Sequence, residues 1–315
     1  MSVRSYFYFF SDLFSGNRKL LAAAAAAVPP PPVVKPYPGW RFCIEESTPT
    51  PDVARRLALW TAFKQRRIMT PVRLPWYDGI ELGVILGNDL SRCVYVNGSF
   101  EPNEFNFLAG CLKPGMVVVD AGANEGLYSL FASRRVGNAG LVLAVEPSPR
   151  ELLRLRDNIA RNRVSNIRVH AVALSDRAGR ARLRIAEHEH AGQNTLGQFA
   201  YEIRDAGMHE VEVAPLDELL QRENVRRVDL IKLDVEGSEY SLLRGAHGTL
   251  KQHRPILLFE IFERALRHQG ATPGVIFKLL EDLGYRILVF DGKSGLPVDW
   301  DGQHPPSQNV IAVPG

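Results

Sequence analysis

Residues 116–128, MVVVDAGANEGLY, limit what this chain can fold into more than any other stretch. Four apolar, mostly β-branched residues suit a parallel strand covered on both faces. Asp120 stands where that strand runs out. Gly122 and Gly126 then bracket a turn that can reach positive φ or let another group approach closely. A helix follows, with its positive end toward whatever the turn holds.

The spacing Asp120-x-Gly122-x-x-x-Gly126 is not the G-x-G-x-x-G of a dinucleotide fold, because the central glycine is missing. It is not a phosphate loop either, since no Gly-Lys-Ser/Thr follows. A carboxylate before the turn repels a pyrophosphate and suits a ligand with an ammonium group, such as the amino acid end of S-adenosylmethionine. Twenty residues past Gly126, the apolar run LVLAVEPSP ends a second strand in Glu146. An acid there can accept hydrogen bonds from both hydroxyls of a ribose. The competing structural reading makes Asp120 a helix cap and Glu146 a solvated loop acid.

With NIRVHAVALSDRAG and VDLIKLDVEGSEYSLLRGA added, the chain resembles the FkbM family of S-adenosylmethionine-dependent methyltransferases. The I-K-x-D-V-E-G-x-E stretch is the most diagnostic. The upstream FEPNEFNFLAGCLKPG and the closing QNVIAVP fit the family's edges, so the resemblance covers residues 77–313. It implies an α/β, Rossmann-like class I methyltransferase fold, with a mostly parallel seven-stranded sheet and an antiparallel edge strand, plus an N-terminal extension. It also implies S-adenosylmethionine as cofactor, held by Asp120, Gly122, Ala123, Asn124, Gly126, Tyr128, Glu146, Pro147, Ser148 and Asp234, with adenine contacts at Ala173 and Leu174. Similar proteins methylate hydroxyls of sugars, glycolipids and polyketide products. The expected acceptor is therefore a small-molecule, glycan or lipid hydroxyl.

A hydroxyl acceptor needs a general base within hydrogen-bond reach. Asp234 and Glu236 are the first candidates for the catalytic role and Glu260, closing ILLFE, is the next. Lys232 lies two residues before Asp234, so both face the same side of the sheet. A lysine in an apolar strand implies a paired charge, from Asp234, Glu260 or the cofactor carboxylate. Glu236 could instead pair with Lys232 or cap the next helix. Asp234, Glu236 and Glu239 could together ligate magnesium, but they are close in sequence and half of the trio should enter a helix, so no metal is expected. His188 and His190 form an H-x-H without a third ligand at fixed spacing and read as a loop. Gln193, Asn194 and Thr195 are expected in a loop over the acceptor site, where they would read hydroxyls.

Three divisions are expected: a flexible tail and proline-rich linker over residues 1–39, an accessory helical segment over 40–76, and the methyltransferase domain over 77–315. The first contains aromatic residues between Tyr6 and Phe14, an alanine run and a run of four prolines from Pro29 to Pro32. The alanine run is too short to span a bilayer, and a secretion signal is disfavoured by the long aromatic stretch before it. VARRLALWTAFKQRR has helical periodicity, residues 79–95 alternate as a strand does, and residues 101–112 read as a helix. Later, residues 180–185 and 210–213 read as an added hairpin.

A formal charge of +3 with dispersed arginines gives no footprint for nucleic acid. Three cysteines, Cys43, Cys93 and Cys111, are widely separated and odd in number. They show neither zinc spacing nor a disulfide framework, which favours a reducing, cytoplasmic setting. A homo-oligomer is compatible with these features. Two other readings stay open: a nicotinamide-dependent oxidoreductase, and a non-catalytic scaffold that keeps the cofactor fold.

Overall fold

The computed structural model describes residues 17–39, 43, 49–302 and 309–315. Its centre is a sheet of eight strands in the order β12-β11-β13-β10-β9-β3-β4-β5. These are β3 (Val117–Ala121), β4 (Leu141–Val145), β5 (Ile167–His170), β9 (Leu230–Leu233), β10 (Ile256–Glu260), β11 (Tyr285–Phe290), β12 (Pro297–Asp299) and β13 (Asn309–Pro314). The strands from β10 through β9, β3 and β4 to β5 are all parallel. From β3 the chain winds outward to β4 and β5, then returns to add β9 and β10 on the other side. The β3/β9 junction is thus the switch point, outside which ligands bind in open α/β sheets.

The count of seven strands and the single edge strand need correction. Strand β13 runs antiparallel but is inserted between β10 and β11, inside the sheet. The antiparallel edge is an eighth strand, the three-residue β12 paired to β11. Strand β13 is buried from Asn309 to Ala312, so its apolar face has more to gain in the interior than at a solvated edge.

Side-chain alternation sorts the core into two layers. Val118, Val142, Leu230, Leu258 and Ile311 join one cluster. Val119, Leu143, Ile231, Leu257 and Ala312 join the other. The second is covered by helices α6 (Leu216–Arg222), α7 (Glu239–Gly245), α8 (His247–Gln252) and α10 (Pro273–Asp282). The first is covered by α4 (Leu127–Val136) together with most of the N-terminal segment.

That segment is more integral than the expected division implies. Helix α2 (Pro51–Arg66) starts on a Thr50 cap that accepts from Val53 N, with Pro51 in the first turn. It buries Trp60 and Phe63 in the same core as α4. Trp76 packs edge-on against Tyr77 at 4.9 Å and Phe105 at 5.9 Å, and Phe105 packs against Phe131 at 5.0 Å. Aromatic packing therefore runs straight across the expected boundary at residues 76/77.

Within residues 17–39 several residues contact the domain. Helix α1 (Arg18–Ala26) buries Ala24, whose carbonyl accepts from Tyr95 Oη at 3.1 Å. After the prolines, Tyr37 and Asn103 exchange hydrogen bonds of 2.6 and 3.1 Å. The expectations for the aromatic stretch before residue 17 lie outside the described residues.

Residues 79–95 correct another reading. Only β2 (Glu81–Val84) is a strand, paired antiparallel with β1 (Val72–Pro75). Asn88 then forms a capping box with Ser91, whose hydroxyl also accepts from Trp60 Nε1 at 2.9 Å. The chain continues as a π-helix, Arg92–Asn97. Val94, Tyr95 and Val96 are all buried, so the apolar residues follow no single-face period.

The hairpin is present as β7 (Gly179–Ala186) and β8 (Asp205–Ala214), with β6 (Ala173–Leu174) completing a separate three-stranded sheet. The H-x-H stretch is a single 3-10 turn rather than an open loop. Remaining helices that frame the site are α3 (Pro102–Cys111), α5 (Pro149–Asn162) and α9 (Glu263–His268).

Candidate active site

The carboxyl ends of β3, β4 and β9 open into a cleft at the switch point of the sheet. Gly122, Asn124, Glu146, Pro147, Ala173, Leu174, Asn194, Asp234 and Glu236 line it. Asp120, Ala123, Gly126, Tyr128, Ser148, Gln193, Thr195 and Glu260 are not in its lining.

The two glycines serve packing first. Gly122 has φ +80°, and a Cβ there would lie 1.8 Å from the Asp234 carbonyl oxygen. Its lack of a side chain is what lets the glycine turn lie against the end of β9. Gly126 has φ +93°, and a Cβ would meet Leu155 at 2.6 Å, so it sets the approach of α4 to α5.

Glu146 is 6% exposed and fixed by two backbone donors, Asn124 N at 2.9 Å on one oxygen and Ser148 N at 2.8 Å on the other. Asn124 offers its N–H from a left-handed backbone, φ +49°. The carboxylate is thereby oriented at the cleft wall with lone pairs remaining. Burial and then the Glu151 charge push it up to about 8. Beside it, Val172, Ala173, Leu174, Leu183 and Leu196 give an apolar wall, suited to a flat base.

At the other end the β3/β9 register pairs Asp120 with Lys232. Asp120 is 1% exposed and accepts from Ser129 Oγ at 2.5 Å, while its second oxygen has no partner. Lys232 Nζ donates to Asp234 at 2.8 Å and sits 4.7 Å from the Tyr128 ring centroid. Burial works against the Lys232 charge, but Asp234, Asp120 and Glu101 outweigh it and hold its pKa above the ordinary lysine value.

Sequence reasoning missed Glu101 and Glu104. Tyr128 Oη donates to Glu101, and Asn309 Nδ2 donates to both Glu101 and Glu104 at 3.0 Å. The signal available was FEPNEF, two acids on an apolar helix start, but only the tertiary fold brings Glu101 to Lys232 and Glu104 beside Glu101. Glu151 was missed as well. Its carboxylate takes Ser148 Oγ, Arg150 Nε at 2.6 Å and Asn194 Nδ2 at 2.9 Å.

The acidic trio differs from the expected one. Asp234, Glu236 and Glu260 have oxygens within 4.8 Å of one another, the sole such set of potential metal ligands among the described residues. Such a set could ligate a hard divalent cation. Glu239 is turned away, accepting from Val235 N and Gly237 N at 3.2 Å and so holding the DVEGSE turn. Burial, and next the Asp234 charge, push Glu236 and Glu260 well above the ordinary carboxyl range. Glu236 has φ +50°, and its carbonyl is held by Thr195 Oγ1 at 2.8 Å and Gln269 Nε2 at 3.2 Å. A left-handed glutamate clamped from two sides is costly backbone, of the kind that collects at functional sites.

The expected acceptor-reading loop is mostly turned inward. Thr195 is buried and spends its hydroxyl on Glu236 O. Asn194 Oδ1 accepts from Ala186 N at 3.0 Å while its amide donates to Glu151. Both fix the loop's shape. Gln193, half-buried, donates from its backbone to His190 O and stays outside the lining.

These shifts set a pH dependence. Burial raises Glu146 and Glu104 to about 8 and Glu239 to about 7, with Glu151 adding to the first and Glu101 to the second. An acid raised by folding stabilises the fold while protonated and loses that contribution as pH rises through its folded pKa. His188 is lowered to about 4 by burial and then Arg154, so its contribution is lost as pH falls from its ordinary value through 4. The ligand-free protein is expected to unfold at lower urea at about pH 8.5 than at about pH 6. Equal midpoints would overturn this reading of the buried acids.

The fit to S-adenosylmethionine rests on these features. A buried acceptor of Asp120 lacks a partner, acids outnumber the single lysine at one end, and the other end has an anchored carboxylate beside an apolar wall. A ligand with a cationic tail and a nucleoside head matches that distribution.

The model of the methyltransferase FkbM domain matches residues 120–287. The chain is 32% identical over 160 residues to 31-O-demethyl-FK506 methyltransferase FkbM of Streptomyces tacrolimicus, covering 42% of this chain and 60% of that relative. It is 29% identical over 154 residues to the 2-O-methyltransferase NoeI of Sinorhizobium fredii, covering 45% and 62%. The matches thus span about three fifths of the length of these two relatives. A solved structure of methyltransferase FkbM from Methylobacillus flagellatus KT is similar with a TM-score of 0.41 at 18% identity, covering 83% of this chain and 60% of that one. Since the domain model matches more than half of its residues, the chain belongs to the methyltransferase FkbM domain family.

Proposed function

We propose that this protein is an O-methyltransferase that uses S-adenosylmethionine and acts on a hydroxyl of a sugar, glycolipid or polyketide-type acceptor, in the cytoplasm. The observation that carries this reading is the anchored Glu146 at one end of the cleft and the Lys232–Asp234 pair with its surrounding acids at the other. The names of the two relatives, which describe methylation at a numbered oxygen, support an oxygen acceptor.

Glu146 would take the ribose hydroxyls, Ala173 and Leu174 the base, and the acids near Asp120 the ammonium. When bound, the cofactor supplies an electrophilic methyl group, and the protein's task is to align an acceptor oxygen with it. Lys232 holds Asp234 as its ion-pair partner. Glu236 and Glu260, whose oxygens gather with those of Asp234 but which do not pair with Lys232, are then the candidates for taking the hydroxyl proton.

Calorimetry with S-adenosylmethionine and a mass-shift screen over sugar and lipid acceptors test the proposal. Glu236→Gln and Glu260→Gln should each bind the cofactor as the parent does, and at least one should lose about 10²–10⁴-fold in transfer rate. Full turnover in both would remove them as bases. Binding without transfer to any acceptor would favour a non-catalytic scaffold. Loss of transfer on chelation, restored by magnesium, would reassign the Asp234–Glu236–Glu260 trio to cation ligation.

A further inference from the structure

Cys93 is 4% exposed and sits at the start of the π-helix Arg92–Asn97. Cys43, half-buried, lies against that same helix. Asn97 Nδ2 donates to Cys43 Sγ at 3.2 Å, and the Cys43 and Cys93 thiols are hydrogen-bonded to each other. Cys93 and Asn97 are four residues apart on one helix and share a face, so both contacts put the Cys43 sulfur on that face. Cys111 is engaged elsewhere, its thiol donating to Leu108 O.

We propose that Cys43 and Cys93 are a modification site that closes as a reversible intramolecular disulfide when the protein meets a low-molecular-weight disulfide such as oxidised glutathione. The hydrogen bond to Cys43 and burial both hold the Cys93 thiol above the ordinary cysteine range, so the more exposed Cys43 reacts first. Its thiolate attacks one sulfur of the glutathione disulfide, breaking that S–S bond and releasing one glutathione thiolate. Cys93 then attacks the Cys43 sulfur of the mixed disulfide and expels the second glutathione, which takes up the Cys93 proton. Two protein thiols are oxidised and one glutathione disulfide is reduced to two thiols. The bridge would tie the segment before α2 to the π-helix across α2, β1 and β2. The proposal does not depend on the methyl-transfer reading.

The test uses the folded 315-residue chain, incubated with oxidised or reduced glutathione, quenched with N-ethylmaleimide and analysed by intact mass and peptide mapping. Oxidised wild type is expected to lose label at Cys43 and Cys93, keep it at Cys111, and weigh two hydrogens less before labelling. Dithiothreitol should restore both labels. Cys93→Ser should instead carry one glutathione on Cys43. Retained label at both positions in oxidised wild type would overturn the proposal, as would a stable glutathione adduct on Cys43 with Cys93 still labelled, or a bridge that includes Cys111.

Discussion

Lys232→Met is expected to lower unfolding stability by about 3–5 kcal/mol, the usual cost of leaving buried charges without their partner. Lys232 is 7% exposed and is the cation facing Asp234, Asp120 and Glu101. Methionine fills a similar volume but leaves those carboxylates to repel one another. A folded domain has only about 5–15 kcal/mol in hand, so the variant should unfold at clearly lower urea. The loss should grow as pH rises, because burial raises the Asp120 and Glu101 carboxyls and their ionisation at higher pH leaves more charge without its counter-ion. An unchanged midpoint would mean that Lys232 is not the counter-ion of the cluster. Lys232→Arg separates charge from shape, since it keeps the cation in a planar, longer head.

Glu146→Ala should weaken S-adenosylmethionine binding by about 10–100-fold, the equivalent of losing charge-assisted hydrogen bonds of about 1.5–3 kcal/mol. The variant also frees the N–H groups of Asn124 and Ser148, so part of the loss reflects a loosened turn. The unfolding midpoint separates the two effects. A binding loss at near-parental stability belongs to the ribose contact, whereas a parallel fall in both belongs to the turn. Affinity unchanged by calorimetry would sink the ribose assignment and, with it, the orientation of the ligand in the cleft.

The parts of the site legible in the sequence are those encoded by local pattern. A buried strand, a glycine turn and a helix are contiguous, and an acid at a strand end falls at the carboxyl edge of a parallel sheet wherever the strand sits. Asp120, Glu146 and Asp234 were placed at strand ends on that basis, and all three stand there. Residues whose role depends on distant partners were not legible in this way. Thr195 and Asn194 have the chemistry to read hydroxyls, but the backbone of Glu236 and the carboxylate of Glu151 claim them first. Glu260 entered the acid trio in place of Glu239 because β10 lies beside β9, while Glu239 is four residues from Val235 and bonds back to its own turn.

The same distinction explains residues 79–95. Alternation signals a strand only when one face is wet, and this segment is buried on several sides, its π-helix against α2 and β2 against α5. Its helical turn is decided by the Asn88–Ser91 cap and the Trp60 indole.

By itself, the sequence determined the α/β class, the succession of core strands and helices along the chain and the position of the acids at strand ends, because period, glycine spacing and strand length are local properties of the chain. Only the tertiary structure decided which acids share the charge of Lys232, that β13 is interior, that the N-terminal segment is part of the core, and that Cys43 meets Cys93. Those outcomes depend on contacts between residues far apart in the chain, where burial and electrostatics outweigh any local preference.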